Sequence, residues 1–481
     1  MNVSGFPGTL SGYDPSGYVD ELITPDTAAT RAVAFRFDGI GLEQLRARSD
    51  DASRELFNLG ITFTVYSDSQ AIDRILPFDV IPRVITRADW DRLEKGVIQR
   101  VRTLNLFLAD VYGAQKALKD GVVPSDLVLT NETFVKEMVG FRPPHGVYVH
   151  INGTDLIRDQ AGEFRVLEDN ARTPSGVSYV VENRHLMQRL FPDIMGQIGV
   201  REVSEYGQML YRQLASTAPE TAQGSQVVLL SPGVFNSAYF EHVFLAREMG
   251  VPLVEGADLI VRDDRVWMRS VGGLEPVDVI YRRIGDDFLD PEVFREDSLL
   301  GVPGLFRAYR EGNVTLANAI GTGIADDKAI YAYMPRLTRY YLDEDPILAN
   351  VDTWICREPE ALAYTLDHLD EMVVKPVGES GGYGITVGPR SSRAELEACR
   401  ARLKENPARY IAQPMIGLSV CPTLADNKVA PRHVDLRPFA VTGAQGTWVL
   451  PGGLTRVALK EGSIVVNSSQ GGGSKDTWVL V

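Results

Sequence analysis

Between positions 86 and 112 apolar residues recur at steps of three and four: Trp90, Leu93, Val97, Val101, Leu104, Leu108 and Val111. That period marks one face of an α-helix, so the pattern predicts a long helix, capped by Thr86 or Asp89 and ended at Gly113. Such a stripe is a packing surface, not a cofactor site. Further helices are predicted from about 35 to Phe57, over 127–138, near 177–191 and 201–217, from Lys328 onward and over 392–404. β-Branched and alternating runs predict strands at 61–66, at about 147–157 and 163–169 around a turn at 159–162, and at 227–230, 252–254, 259–261, 277–281 and 410–413. The segment 433–450 reads as a β-hairpin.

The order of these elements sets the class. A strand at 227–230, a loop at 231–233 and a helix through Met249, with more strands after it, predict an α/β layer with parallel strands. The first 30 residues, rich in Gly, Ser, Pro and Asp, predict an extended arm that is ordered only where it lies on something. The glycine run 471–473 resembles a linker, yet the apolar residues 478–481 behind it predict a packed end.

Two stretches carry candidate chemistry. In the first, Asp155 falls near the end of one predicted strand and Glu168 and Asn170 end the next. Glu168 and Asn170 are two apart and face the same way. Two carboxylates and an amide on adjacent strands are hard oxygen ligands suited to Mg²⁺ that also holds phosphate oxygens, while strand-end acids left in solvent are the plain alternative. The second stretch, 371–388, reads strand, glycine-rich turn, strand, with Lys375 before the turn. Glycines let backbone N–H groups approach phosphate oxygens, which fits a polyphosphate lid. An ordinary glycine hairpin is one alternative. A serine hydrolase is another, since 378–382 fits G-x-S-x-G around Ser380, but that elbow needs a helix afterwards and Ile385, Thr386 and Val387 are strand-like. Arg282 and Arg283 end a strand, where they can grip a carboxylate or lie exposed. No G-x-G-x-x-G follows the strand at 227–230, and 321–328 is no phosphate loop, because Asp327 replaces its last glycine.

Bulk properties narrow the classes. The chain has 481 residues, 44% of them hydrophobic and 23% charged, which is a soluble globular composition of several subdomains. A net charge of −15 argues against a general binder of nucleic acid or anionic membrane. Cys356, Cys399 and Cys421 form no paired framework and suit a reducing compartment. The first residues carry no basic stretch leading into an apolar core, and no run reaches the length of a membrane span; we expect a cytoplasmic protein.

Together these pieces resemble the ATP-grasp ligases, most of all the circularly permuted branch that includes glutathionylspermidine synthase, and more closely still the circularly permuted ATP-grasp type 2 proteins. The resemblance runs from about residue 20 to 481 and rests on EDNARTPSGVSYVVENR, the Lys328 helix, VVKPVGESGGYGI, YIAQP and the NSSQGGGSKD tail. It implies an α/β circularly permuted ATP-grasp with a pre-ATP-grasp-like subdomain, arranged as an arm over 1–34, a helical and metal-binding part over 35–216, the α/β subdomain over 227–320 and the nucleotide lobe over 321–481. It implies ATP and Mg²⁺ as cofactors, with Asp155, Glu168 and Asn170 as metal ligands and Lys328 and Lys375 on the phosphates. The lid would be 378–384, including Glu379, Ser380, Gly381 and Gly382, and Gln413 would meet the adenine edge. Arg456, with Arg283, would orient a carboxylate or the intermediate.

The implied reaction joins a small-molecule or peptide carboxylate to an amine through an acyl phosphate, with no nucleic acid or membrane involved. Phosphoryl transfer without amide formation and non-catalytic nucleotide binding stay open. His433 and Glu379 are candidate bases. One departure stands out: an arginine that meets the transferred phosphate in glutathionylspermidine synthase is Gly153 here. The peptidase domain of that synthase is also missing, so glutathione and spermidine are not implied as substrates.

Overall fold

Among the described residues a ten-stranded sheet takes its strands from distant parts of the chain. The computed structural model describes residues 7–24, 27–67, 70–222, 224–377, 384–425, 427–466 and 471–481, with Thr62–Ser67 and Gln70–Ile75 given by backbone alone. Along its main path the sheet runs Ala349–Asn350, Phe164–Asn170, Ile151–Arg158, Lys428–Arg437, Leu454–Val457, Gly473–Val479 and Phe78–Ile85. The first pair and the last pair are parallel and the rest antiparallel. The apolar C-terminal end is packed as expected, because Gly473–Val479 is buried along its whole length between two neighbours.

The long predicted helix forms as Arg87–Val111, and Thr86 Oγ1 accepts from Asp89 N at 3.2 Å to cap it. All seven stripe residues are buried. Gly96 belongs to this packing: a Cβ there would sit 2.3 Å from Leu348 Cγ, so the helix approaches the Leu348 segment as only glycine allows. Arg100 on the same helix donates to both oxygens of Asp169, which ties the helix to the strand that carries Glu168 and Asn170.

Val227–Leu230, Leu253–Val254, Val279–Arg282 and Thr315–Ala317 form the expected parallel sheet. Leu259–Arg262 does not join it and pairs instead with Arg265–Ser270 in a separate antiparallel sheet. A smaller lobe holds Trp354–Ile355, Tyr410–Pro414, Met372–Pro376 and Thr386–Val387, all antiparallel, over a core of Cys356, Leu369, Met372, Val374, Cys399, Leu403 and Ala412. The helix Arg393–Glu405 backs it, and its start is closed by a reciprocal Ser392–Glu395 cap.

Several expectations need correcting. The helix read from 35 to 57 is two, Ala28–Asp38 and Leu42–Asn58, broken at Gly39 and Gly41. Over 127–138 there is a short helix Ser125–Leu129 and one 3-10 turn Lys136–Met138. The segment 433–450 holds the end of the strand Lys428–Arg437 before the hairpin of Phe439–Gly443 and Gly446–Val449. The strand Phe78–Ile85 escapes a pattern search because Asp79, Pro82 and Arg83 interrupt its apolar run. No helix among the described residues is long and apolar enough to cross a membrane.

Candidate active site

The antiparallel pair Ile151–Arg158 and Phe164–Asn170 sets Asp155 directly opposite Glu168, and Gly153 opposite Asn170. The three oxygen-bearing side chains therefore share one face. Asn170 Nδ2 donates to Gly153 O at 3.1 Å and lies 3.5 Å from Asp155 Oδ1, and its side chain lines the cavity described below. Asp169 points to the other face, where Arg100 neutralises it. Among the described residues no group of three His, Cys, Asp or Glu side chains could hold a metal ion; the set here is two carboxylates and an amide.

Both predicted lysines reach the same place. Lys328 opens the helix Lys328–Leu342, whose N-cap Asp327 accepts from Ala329 N at 2.7 Å and Ile330 N at 3.1 Å. Its ammonium stands 3.7 Å from Glu168 Oε2. Lys375 comes from the smaller lobe and donates to Gln413 Oε1 at 2.7 Å. Part of its surface opens onto the cavity, yet the walls enclose it enough that burial pulls its pKa down to about 8. A cavity of about 650 Å³ joins these groups: Asp155, Glu168, Asn170, Lys328, Lys375, Gln413 and Arg456 all line it. Val351, Val373, Met415 and Ile416 give it an apolar wall beside Gln413. Such a wall with a few convergent polar groups is the usual make-up of a ligand site.

Two further side chains at this site escaped the sequence reading. Asp155 is fully enclosed and accepts from Arg437 Nε, from Arg437 Nη2 at 2.8 Å and from Arg456 Nη2 at 2.7 Å. Burial alone would raise its pKa, but the two guanidiniums outweigh burial and hold the carboxyl well below the usual range. Asp435 pairs across the strands with Arg456 and takes its Nε at 3.0 Å. Burial pushes the Asp435 carboxyl up, against the pull of Arg456. Asp435 and Arg437 are two apart on one strand, and that spacing was their only signal in the sequence.

Not every predicted residue arrives. Arg283 is buried away from the cavity, donating to Pro174 O at 2.6 Å and to Glu241 Oε1 at 3.1 Å, so it serves packing rather than a substrate carboxylate. Its place at a strand end suggested exposure, but the start of the helix Val177–Leu190 covers it: Glu241 also accepts from Gly176 N at 2.7 Å and Ser178 N at 3.2 Å. His433 Nδ1 meets Leu418 O at 2.9 Å and its ring packs edge-on to Tyr18; it does not line the cavity. Glu379, Ser380, Gly381 and Gly382 lie outside the described residues, as do positions 467–470 of the tail motif.

The model of the family "Circularly permuted ATP-grasp type 2" matches residues 82–458. The chain belongs to this family. An uncharacterised protein of Synechocystis sp. is 53% identical to this ATP-grasp chain over 474 residues, 98% of each. One from Mycobacterium tuberculosis is 54% identical over 437 residues, covering 91% of this chain and 79% of that protein. A Frankia alni protein named "Putative glutamate--cysteine ligase 2-3" is 42% identical over 479 residues, 98% of this chain but 55% of its own length. A glutathione synthetase-like effector from Globodera pallida has the same kind of fold, with a TM-score of 0.58 over 90% of this chain and 96% of that one at 11% identity.

Proposed function

We propose that this protein is an ATP-dependent carboxylate–amine ligase that works through an acyl phosphate. One observation carries the reading: two lysines, two carboxylates, an amide and an arginine from positions as far apart as 155 and 456 meet on one cavity with an apolar wall. Family membership supports ATP as the energy source. The ligase name of the Frankia relative supports a ligase in general terms only, since the match covers 55% of that protein.

In the proposed reaction a substrate carboxylate oxygen attacks the terminal phosphorus of ATP. The bond to the bridging oxygen breaks and ADP leaves. An amine then displaces phosphate from the acyl carbon, losing a proton, and an amide forms. Catalysis of this kind is mostly positioning and charge stabilisation. Lys328 and Lys375 neutralise phosphate charge, and the apolar wall by Gln413 takes the base. Asp155, Glu168 and Asn170 would hold Mg²⁺ as hard oxygen donors, with Asp155 shared between the cation and the guanidiniums of Arg437 and Arg456. Bound there, it would supply charge neutralisation. The glycine-rich segment 378–384 takes the lid role from the sequence and the resemblance alone, and its work would be to keep water from the acyl phosphate.

The test is ATP turnover with Mg²⁺ on wild type and Glu168→Ala, with pools of amino acids, peptides and polyamines. ADP release that needs both a carboxylate and an amine, and that falls about a hundredfold or more in the variant, is expected. A stable phosphorylated product formed without an amine would replace the ligase reading with phosphoryl transfer. Absence of ATP binding would end both.

A further inference from the structure

Four cations and four carboxylates line the cavity: Lys328, Lys375, Arg437 and Arg456 against Asp155, Glu168, Glu241 and Asp435. Glu241 is already neutralised by Arg283, which leaves four positive charges against three negative. They are ordered across the sheet. Lys328 stands beside Glu168 on the strand Phe164–Asn170, and Lys375 is within reach of the same Glu168 charge; Asp155 is one strand further, and Arg437 one strand beyond that. A polyphosphate whose base lies by Gln413 and whose inner phosphates meet the lysines would point its free end toward Arg437.

The two arginines are not held alike. Arg456 is fixed by Asp435 as well as by Asp155. Among the described residues Arg437 has Asp155 as its one hydrogen-bonded carboxylate, plus Ser175 O at 3.2 Å. Three of its five N–H groups are engaged by these bonds, and the other two have no partner among the described residues. A cation taken up by Asp155 would compete with Arg437 for the same two oxygens, and would leave Arg456 still held by Asp435.

The floor beneath Arg437 is cut to fit. A Cβ on Gly153 would lie 3.0 Å from Arg437 Cδ and 3.3 Å from its Cγ, so the arginine stem occupies the space a residue 153 side chain would fill. We infer that Arg437, seated over Gly153, is the residue that holds the terminal phosphate of the nucleotide and then the phosphoryl group in transfer. The inference rests on the nucleotide reading above.

The test needs no knowledge of the other substrates, because ATP and ADP differ by that phosphate. Calorimetric affinities for MgATP and MgADP are compared in wild type, Arg437→Ala, and the double variant Gly153→Arg with Arg437→Ala. A charged hydrogen bond contributes about 1.5–3 kcal/mol, so Arg437→Ala is expected to lose about tenfold to a hundredfold for MgATP. Its affinity for MgADP is expected not to fall, because the variant also removes the competitor for the Asp155 oxygens. Asp155 keeps Arg456 in this variant, so the fold has support, and undiminished MgADP binding reports that it survives. The double variant returns a guanidinium to the same space from the neighbouring strand and is expected to regain most of the MgATP preference.

If wild type binds neither nucleotide, the functional reading itself falls. If wild type binds both and Arg437→Ala keeps the full preference for MgATP, only the Arg437 assignment falls. If the double variant binds MgADP normally yet recovers nothing, Arg437 is a support for Asp155 and the assignment is overturned.

Discussion

Lys375 Nζ donates to Gln413 Oε1 at 2.7 Å, and Gln413 Nε2 donates in turn to Thr353 Oγ1 at 2.9 Å. The chain of bonds crosses paired strands and fixes the ammonium at the cavity wall. Burial brings its pKa to about 8, so Lys375 is charged below that pH and neutral above it. In the proposed phosphate role, Lys375 would lose its charge within an accessible range. kcat/KM for ATP reports the free enzyme and is expected to fall as pH rises through about 8. The limb in kcat should move to higher pH, because bound phosphate favours the charged amine. Lys375→Arg, which stays ionised, should flatten the limb. A profile from about pH 7 to about pH 9.5 with no limb in wild type would refute the assignment.

Asp155 and Glu168 face each other but differ in what their loss would do. Asp155 is enclosed by two guanidiniums, and Asp155→Ala leaves Arg437 without its carboxylate and Arg456 with Asp435 alone. Breaking such a buried set costs about 3–5 kcal/mol. Glu168 is partly open and has Lys328 at 3.7 Å, so Glu168→Ala is expected to cost less than about 1 kcal/mol. Both variants should lose Mg²⁺-dependent nucleotide binding. Denaturant midpoints taken alongside magnesium titrations would separate the effects, and equal stability losses would contradict the geometry.

The difference between these residues tells what could be read in the chain. Glu168 and Asn170, two apart at a strand end, and the start of a helix at Lys328 are local signals and were legible. So was the stripe from Trp90 to Val111, because its period is a property of one helix. Arg437 and Asp435 were not, since they matter through Asp155 and Arg456, far away in sequence and joined only by sheet register. The strand Phe78–Ile85 was hidden for a related reason: Asp79 and Arg83 look solvent-facing until Lys475 and Glu21 are found beside them in the interior. Arg283 misled in the opposite direction, as a strand-end arginine that a helix start then covered.

Glu21 shows what holds the N-terminal segment. Its carboxylate meets Arg83 Nη2, Ser419 Oγ at 3.2 Å and Cys421 Sγ at 3.5 Å, all buried. Arg83 also donates to Asp435 O at 2.8 Å, on the strand that carries Arg437. Glu21→Ala strands a fully buried guanidinium and is expected to cost about 3–5 kcal/mol. Unfolding in urea would reveal it as a lowered midpoint. A midpoint unchanged from wild type would mean that the Glu21–Arg83 pair does not contribute to stability.

Arg283 and Arg456 were candidates for the same work, and the geometry divides them. Arg456 lines the cavity with Nη1 unbonded among the described residues, while Arg283 is spent on Glu241, Pro174 and Tyr281. Arg283→Ala leaves Glu241 buried without its cation and should lower stability by about 3–5 kcal/mol. Where the variant remains folded, KM for every substrate should be near the wild-type value. Arg456→Lys keeps the charge but loses the fork that spans Asp155 and Asp435. Its kcat should fall about a hundredfold. Steady-state kinetics beside thermal melts would check the pair, and a kcat loss in Arg283→Ala larger than in Arg456→Lys would reverse the division.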